Sequence, residues 1–129
     1  MSREGEVAPH KEEVLIEASC HCGAVRLAIE NAPTEVTDCN CSVCRRYGVL
    51  WAYYRIAEVQ VSGGTEVYAW GPRTTVFHRC ATCGCVTHWS AADPARRKIG
   101  VNARLMEPDV LAKARVRHLD GAVTDEYLD

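Results

Sequence analysis

The sequence predicts a mainly β chain held together at bound metal. Three observations carry this. Apolar residues alternate over short stretches, most cleanly at Val25, Leu27 and Ile29. Turn signals such as Asn31-Ala-Pro33, Gly63-Gly64 and Gly71-Pro72 interrupt those stretches at close intervals. Seven of the eight cysteines fall into tight C-x-C, C-x-C-x-x-C and C-x-x-C spacings, which suit metal ligation.

Taken in order, residues 1–12 are polar and charged and read as a flexible N-terminal tail, with His10 solvated in it. Val14 to Ser19 is a first strand leading into Cys20-His-Cys-Gly23. Two cysteines two apart on extended backbone present both sulfurs to one face, and Gly23 allows the positive φ that a metal knuckle uses. Ala24 to Glu30 is a half-buried strand, and Glu35 to Asp38 a short extended approach to Cys39-Asn-Cys-Ser-Val-Cys44. Ser42 is positioned to cap a helical turn carrying Cys44.

Val49 to Tyr54 is apolar and aromatic and fits a buried strand. Glu58 to Ser62 and Glu66 to Trp70 flank Gly63-Gly64 and are expected to pair as a hairpin. Thr74 to Arg79 leads into Cys80-Ala-Thr-Cys-Gly-Cys85, followed by strands at Val86 to Ser90 and Lys98 to Asn102. Pro108 can open one helical turn, and Val116 to Leu119 is a last strand before a polar terminus. No stretch carries a long, clean helical stripe.

The composition narrows the functional classes. A chain of 129 residues suits one domain, placed at 13–129. A net charge of −2 and a pI near 6.2 argue against a nucleic-acid partner. The polar start is not a signal peptide, and no segment is long and apolar enough to span a membrane. A cytoplasmic location follows as the expectation. In a reducing compartment the cysteines read as metal ligands rather than disulfides.

Zinc is the commonest ion for such thiolate sets. Cys20, Cys22, Cys80 and Cys83 make a four-thiolate set, the composition of a closed structural site. Cys39, Cys41 and Cys44 offer three sulfurs, which leaves a fourth tetrahedral position for chemistry. Two zinc ions per chain are expected. Cys85 has two readings, a buried thiol or a fourth ligand that closes the second site. His78 and His88 lie in strands near cysteines and read as satisfied histidines, with ligation the alternative, and His21 as a surface residue. Arg45 and Arg46 are either solvated or offset the charge of the second site and hold a substrate carboxylate. Trp51, Trp70 and Trp89 read as core rather than as a ligand platform.

The segments Ser19-Cys-His-Cys-Gly-Ala-Val-Arg26, Cys39-Asn-Cys-Ser-Val-Cys-Arg-Arg46, Cys80-Ala-Thr-Cys-Gly84 and Val101-Asn102 occur in the order found in a known family. The chain resembles the glutathione-dependent formaldehyde-activating enzyme (GFA) family, which includes the domain of centromere protein V. The resemblance runs from about Val14 to Leu119. It implies an Mss4-like β-tent of short antiparallel sheets around zinc. It implies a structural zinc on Cys20, Cys22, Cys80 and Cys83, and a catalytic one on Cys39, Cys41 and Cys44. The implied activity is that of a zinc-dependent carbon–sulfur lyase, with a small thiol such as glutathione and a small aldehyde such as formaldehyde as partners, giving S-hydroxymethylglutathione. Arg45 and Arg46 are the expected substrate-binding residues. The alternative is a non-catalytic, zinc-stabilised binding module of the same fold. Arg79 stands just before the C-x-x-C, where family members often carry an aromatic residue, with Phe77 two further back, and Cys85 lies outside the family's ligand set.

Overall fold

In the computed structural model, residues 15–129 are described. The tail at 1–12, and Val14 of the first strand, lie outside them. Alternation in the sequence becomes alternation of burial. In β2 (Arg26–Ile29), Leu27 and Ile29 face inward while Arg26 is exposed. β2 is the centre of a three-stranded antiparallel sheet, between β1 (Ile16–Ser19) and β5 (Val59–Ser62).

The remaining strands form one eight-stranded sheet. They are β3 (Glu35–Cys39), β4 (Trp51–Arg55), β6 (Thr65–Tyr68), β7 (Thr75–Cys80), β8 (Val86–Ala91), β9 (Lys98–Asn102), β10 (Arg115–Asp120) and β11 (Glu126–Tyr127). Their order is β11-β10-β3-β4-β9-β8-β7-β6. Every pairing is antiparallel except β3 with β10, which is parallel and sets Cys39 beside Leu119. Among the described residues there are two α-helical turns, α1 (Cys44–Tyr47) and α2 (Pro108–Ala112), the latter with Pro108 in its first turn as expected, and two 3-10 turns at Ile56–Glu58 and Ala103–Leu105. A mainly β chain of antiparallel and mixed sheets, with its cysteines gathered where strands end, agrees with the Mss4-like β-tent.

One apolar core joins the two sheets. Leu27, Ile29 and Val59 from the small sheet pack with Val36, Leu50, Ala52, Ile99 and Val101 from the large one. A second, smaller cluster of Cys39, Cys44, Val49, Trp51 and Phe77 lies elsewhere on the large sheet. Strand β4 serves both, sending Ala52 and Tyr54 to the first and Trp51 to the second.

Three expectations are corrected. The stretches either side of Gly63-Gly64 do not form a hairpin. β5 pairs with β2, and β6 crosses to the edge of the large sheet beside β7. Gly63, at φ +101°, permits the β5–β2 pairing by lying close to the backbone of Ala24 and Val25, where no side chain fits. Ser42 does not cap α1. The Cys44 N–H donates instead to Cys41 Sγ at 3.4 Å, so a cysteine sulfur takes the capping role. The polar terminus adds a strand, β11, because Asp120 accepts from the Asp125 N–H at 2.7 Å and turns the chain back on β10.

Candidate metal centres and an aromatic cavity

The first cysteine group is assembled from two matching knuckles. In one, the Gly23 N–H donates to Cys20 O at 3.1 Å and Cys20 N–H to Val25 O at 3.1 Å. In the other, Gly84 N–H donates to Cys80 O at 3.0 Å and Cys80 N–H to Cys85 O at 2.9 Å. Gly23 and Gly84 have φ of +82° and +83°, a conformation that glycine adopts without strain. The sulfurs of Cys20, Cys22, Cys80 and Cys83 all lie within 4.8 Å of one another. Cys22 Sγ is 3.7 Å from Cys20 Sγ and 3.6 Å from Cys80 Sγ. Tetrahedral zinc with bonds of about 2.3 Å sets its sulfurs about 3.8 Å apart, so this donor set fits the ion.

Backbone N–H groups aim at these sulfurs. Val25 donates to Cys20, and Thr82 and Cys83 donate to Cys80, at 3.3–3.4 Å. Such donors favour thiolate over thiol. The N–H groups of Cys83 and Thr82 lower the Cys80 pKa, and those of Cys85 and Cys22 bring Cys83 to about 5.

The second group comes from one short stretch. Cys39 ends β3, Cys41 lies in the bend that follows, and Cys44 opens α1. Their sulfurs too lie within 4.8 Å of one another. The indole Nε1–H of Trp51 donates to Cys44 Sγ at 3.3 Å. The neighbouring Cys44 thiol, with the N–H groups of Cys41 and Gly121, pulls the Cys39 pKa down to about 6. Cys44 is pushed up, by sharing with Cys39 and by burial. This set also fits a metal ion, with three protein sulfurs rather than four.

The turn after β10 covers these cysteines. Asn40 Nδ2 donates to Asp120 Oδ1 at 3.1 Å, and the Ala122 N–H donates to Asn40 Oδ1 at 3.0 Å. Gly121 lies so close over Cys39 that an added Cβ would stand 2.6 Å from its sulfur. The sequence reading missed this residue. Its signal was the turn dipeptide Asp120-Gly121.

Beside the second group opens a cavity of about 290 Å³. Cys39, Cys41 and Cys44 line it together with Trp51, Tyr53, Trp70, Phe77 and Trp89. The three tryptophans read as core therefore have another place. Trp51 is buried as expected, but all three line this cavity, and Trp70 is 44% exposed. Trp89 packs against Gly100, where any Cβ would strike its indole.

Arg45 and Arg46 are exposed on α1 and do not line this cavity. The Arg46 Nη1 donates to Ser42 O at 2.8 Å, and its side chain borders a second cavity with Arg79, Arg104 and Cys85. Cys85 joins neither cysteine group. Its place in the second knuckle matches that of Val25 in the first, and it packs partly against the main core. His78 is likewise outside both groups, with Nδ1 on Thr65 Oγ1 and Nε2 on Ser90 Oγ, each at 2.9 Å. Its ring stacks on His88 at 4.1 Å. Burial, with His78 alongside, lowers the His88 pKa to about 4.

Among the described residues, no helix is long and apolar enough to cross a membrane. No curated protein matches the chain. Among solved structures, a Rhodobacter sphaeroides protein of known crystal structure is similar at 31% identity and a TM-score of 0.64, over 78% of this chain and 99% of that one. The profile described as glutathione-dependent formaldehyde-activating enzyme matches residues 15–118. With both cysteine groups assembled within that span, the chain belongs to the glutathione-dependent formaldehyde-activating enzyme family.

Proposed function

We propose that the chain joins a small thiol to a small aldehyde at Cys39, Cys41 and Cys44, as a carbon–sulfur lyase acting in either direction. In the joining direction the thiol S–H adds across the carbonyl. A carbon–sulfur bond forms, the carbonyl π bond breaks, and the thiol proton ends on the carbonyl oxygen. The observation that supports this most is a three-sulfur group lining an open cavity, set beside a four-sulfur group that needs no further ligand.

In this reading the chain holds two zinc ions. Cys20, Cys22, Cys80 and Cys83 keep the structural one, and Cys39, Cys41 and Cys44 the reactive one. Zinc at the second group would supply a Lewis acid and favour the thiolate form of a nearby thiol. The N–H groups of Trp51, Cys44 and Gly121 hold the three cysteines as ligands. Arg45 and Arg46 lie at the end of α1 and outside the cavity. They are proposed to draw in the carboxylates of a thiol such as glutathione from solvent. Unpaired cysteines that serve as ligands suit the reducing cytoplasm.

NMR exchange spectroscopy on glutathione plus formaldehyde tests this reading. Wild type is expected to accelerate exchange between free glutathione and its hydroxymethyl adduct. Cys41→Ser should abolish the acceleration and Arg45→Ala should weaken it. No acceleration in zinc-loaded wild type would favour the binding module without turnover.

A further inference from the structure

The cavity beside the second cysteine group has two properties that bear on its occupant. The first is charge. Its lining is Cys39, Cys41, Val43, Cys44, Trp51, Tyr53, Trp70, Pro72, Thr74, Thr75, Phe77 and Trp89, with no Lys, Arg, Asp or Glu among the described residues. In the reading above, three cysteinate ligands would outweigh a divalent ion, so the loaded site would be anionic before anything enters. A carboxylate or second anion placed there meets repulsion in a poorly solvated setting, with no cation in the wall to offset it. A neutral group does not.

The second property is shape. Five aromatic rings wall the cavity, and four of them pack in two pairs. Trp51 and Phe77 lie 6.1 Å apart between centroids, and Tyr53 and Trp89 also 6.1 Å. Tyr47 meets Phe77 edge-on at 5.6 Å from behind. Gly100 leaves room for the Trp89 indole. At about 290 Å³ the space lies at the lower end of the roughly 300–1,000 Å³ found for ligand pockets. It is far larger than formaldehyde needs, and its lining has no charged side chain to meet the charged ends of a tripeptide.

We propose that this cavity binds an uncharged aromatic aldehyde, its ring against Trp70, Trp89 and Phe77 and its carbonyl toward Cys39, Cys41 and Cys44. This rests on the carbon–sulfur reading above and names its electrophile. The thiol then arrives from solvent, and its charged groups stay in water.

All three tryptophans of the chain line the cavity, so their indole N–H signals in a nitrogen-labelled NMR spectrum report occupancy without any turnover. Protein purified without chelator would be titrated separately with benzaldehyde, benzoate and glutathione. Benzaldehyde is expected to shift the indole signals at least roughly tenfold more tightly than benzoate, because burying an unpaired charge costs more than 1.4 kcal/mol. Trp70→Ala removes one exposed wall and should weaken benzaldehyde by roughly tenfold. Thr74 is exposed at the rim, so Thr74→Lys should leave the fold intact and shift the preference toward benzoate.

Benzoate or glutathione binding as tightly as benzaldehyde would overturn the proposal, as would Thr74→Lys leaving the preference unchanged. Acceleration of the glutathione–formaldehyde reaction without any benzaldehyde binding would overturn it too, and would leave the proposed function standing. Saturable benzaldehyde binding with the expected preference supports the proposal even if no thiol reacts, and in that case the lyase reading alone fails.

Discussion

The two cysteine groups use the same donor atom and are built in opposite ways. Cys20, Cys22, Cys80 and Cys83 bring together two knuckles separated by 58 positions, as measured from Cys22 to Cys80. Cys20 and Cys80 are almost fully buried and belong to the core that joins the two sheets. Cys39, Cys41 and Cys44 come from six consecutive residues and face a cavity. A cross-link between distant segments removes much more freedom from the unfolded chain than one closing a six-residue loop. The first group therefore acts mainly on folding. In the proposed reading the second changes folding little, and its three protein sulfurs leave a fourth ligand position for chemistry.

The largest test of that contrast is a pair of cysteine variants. Structural zinc is worth on the order of 10 kcal/mol or more, comparable to the whole stability of a small domain. Cys80→Ser is expected to give unfolded or insoluble protein by circular dichroism. Cys41→Ser should lose one metal equivalent by elemental analysis and keep the wild-type spectrum. Equal collapse of the two would make both groups structural.

A smaller effect separates acid damage to the fold from acid damage to the cysteine groups. His88 is 5% exposed, faces the interior and has its pKa lowered to about 4, against about 6.5 in an unfolded chain. The unfolded state thus binds more protons between those values. The neutral-pH stability is full above about pH 6.5 and falls as pH drops through 4, by roughly 3 kcal/mol in total. His88→Gln removes this titration. Denaturant unfolding at pH 7 and pH 4.5 should show a smaller acid loss in the variant than in wild type. An identical loss would assign the acid sensitivity to the cysteines.

Much of this architecture was legible in the residues. Period-two alternation marked β2, and Lys98–Asn102 was placed to the residue. The cysteine spacings divided seven cysteines into groups of four and three, as the sulfur positions do. What escaped was long-range. Nothing local says that β5 leaves its neighbour β6 for β2, because that choice depends on Gly63 meeting Ala24 across the fold. Nor does spacing show that residue 121 covers Cys39, which follows from the parallel pairing of β3 with β10. The tryptophans were a matter of degree. An aromatic side chain can be core on one edge and cavity wall on the other, and only packing decides. Arg45 and Arg46 follow the ligands in sequence, yet a helical turn points successive side chains in different directions. Both are exposed, and neither lines the cavity.

The central claim is that one cysteine group is closed and the other open. Cobalt in place of the native metal reports this directly, since its visible spectrum responds to every change in its ligands. Imidazole is a neutral ligand that suits an anionic, aromatic-walled site. Wild type should bind two cobalt ions per chain. Imidazole should alter the absorption of one and leave the other unchanged, and the responsive half should be missing in Cys41→Ser. A spectrum that ignores imidazole, or one that still responds after Cys41→Ser, would contradict the account.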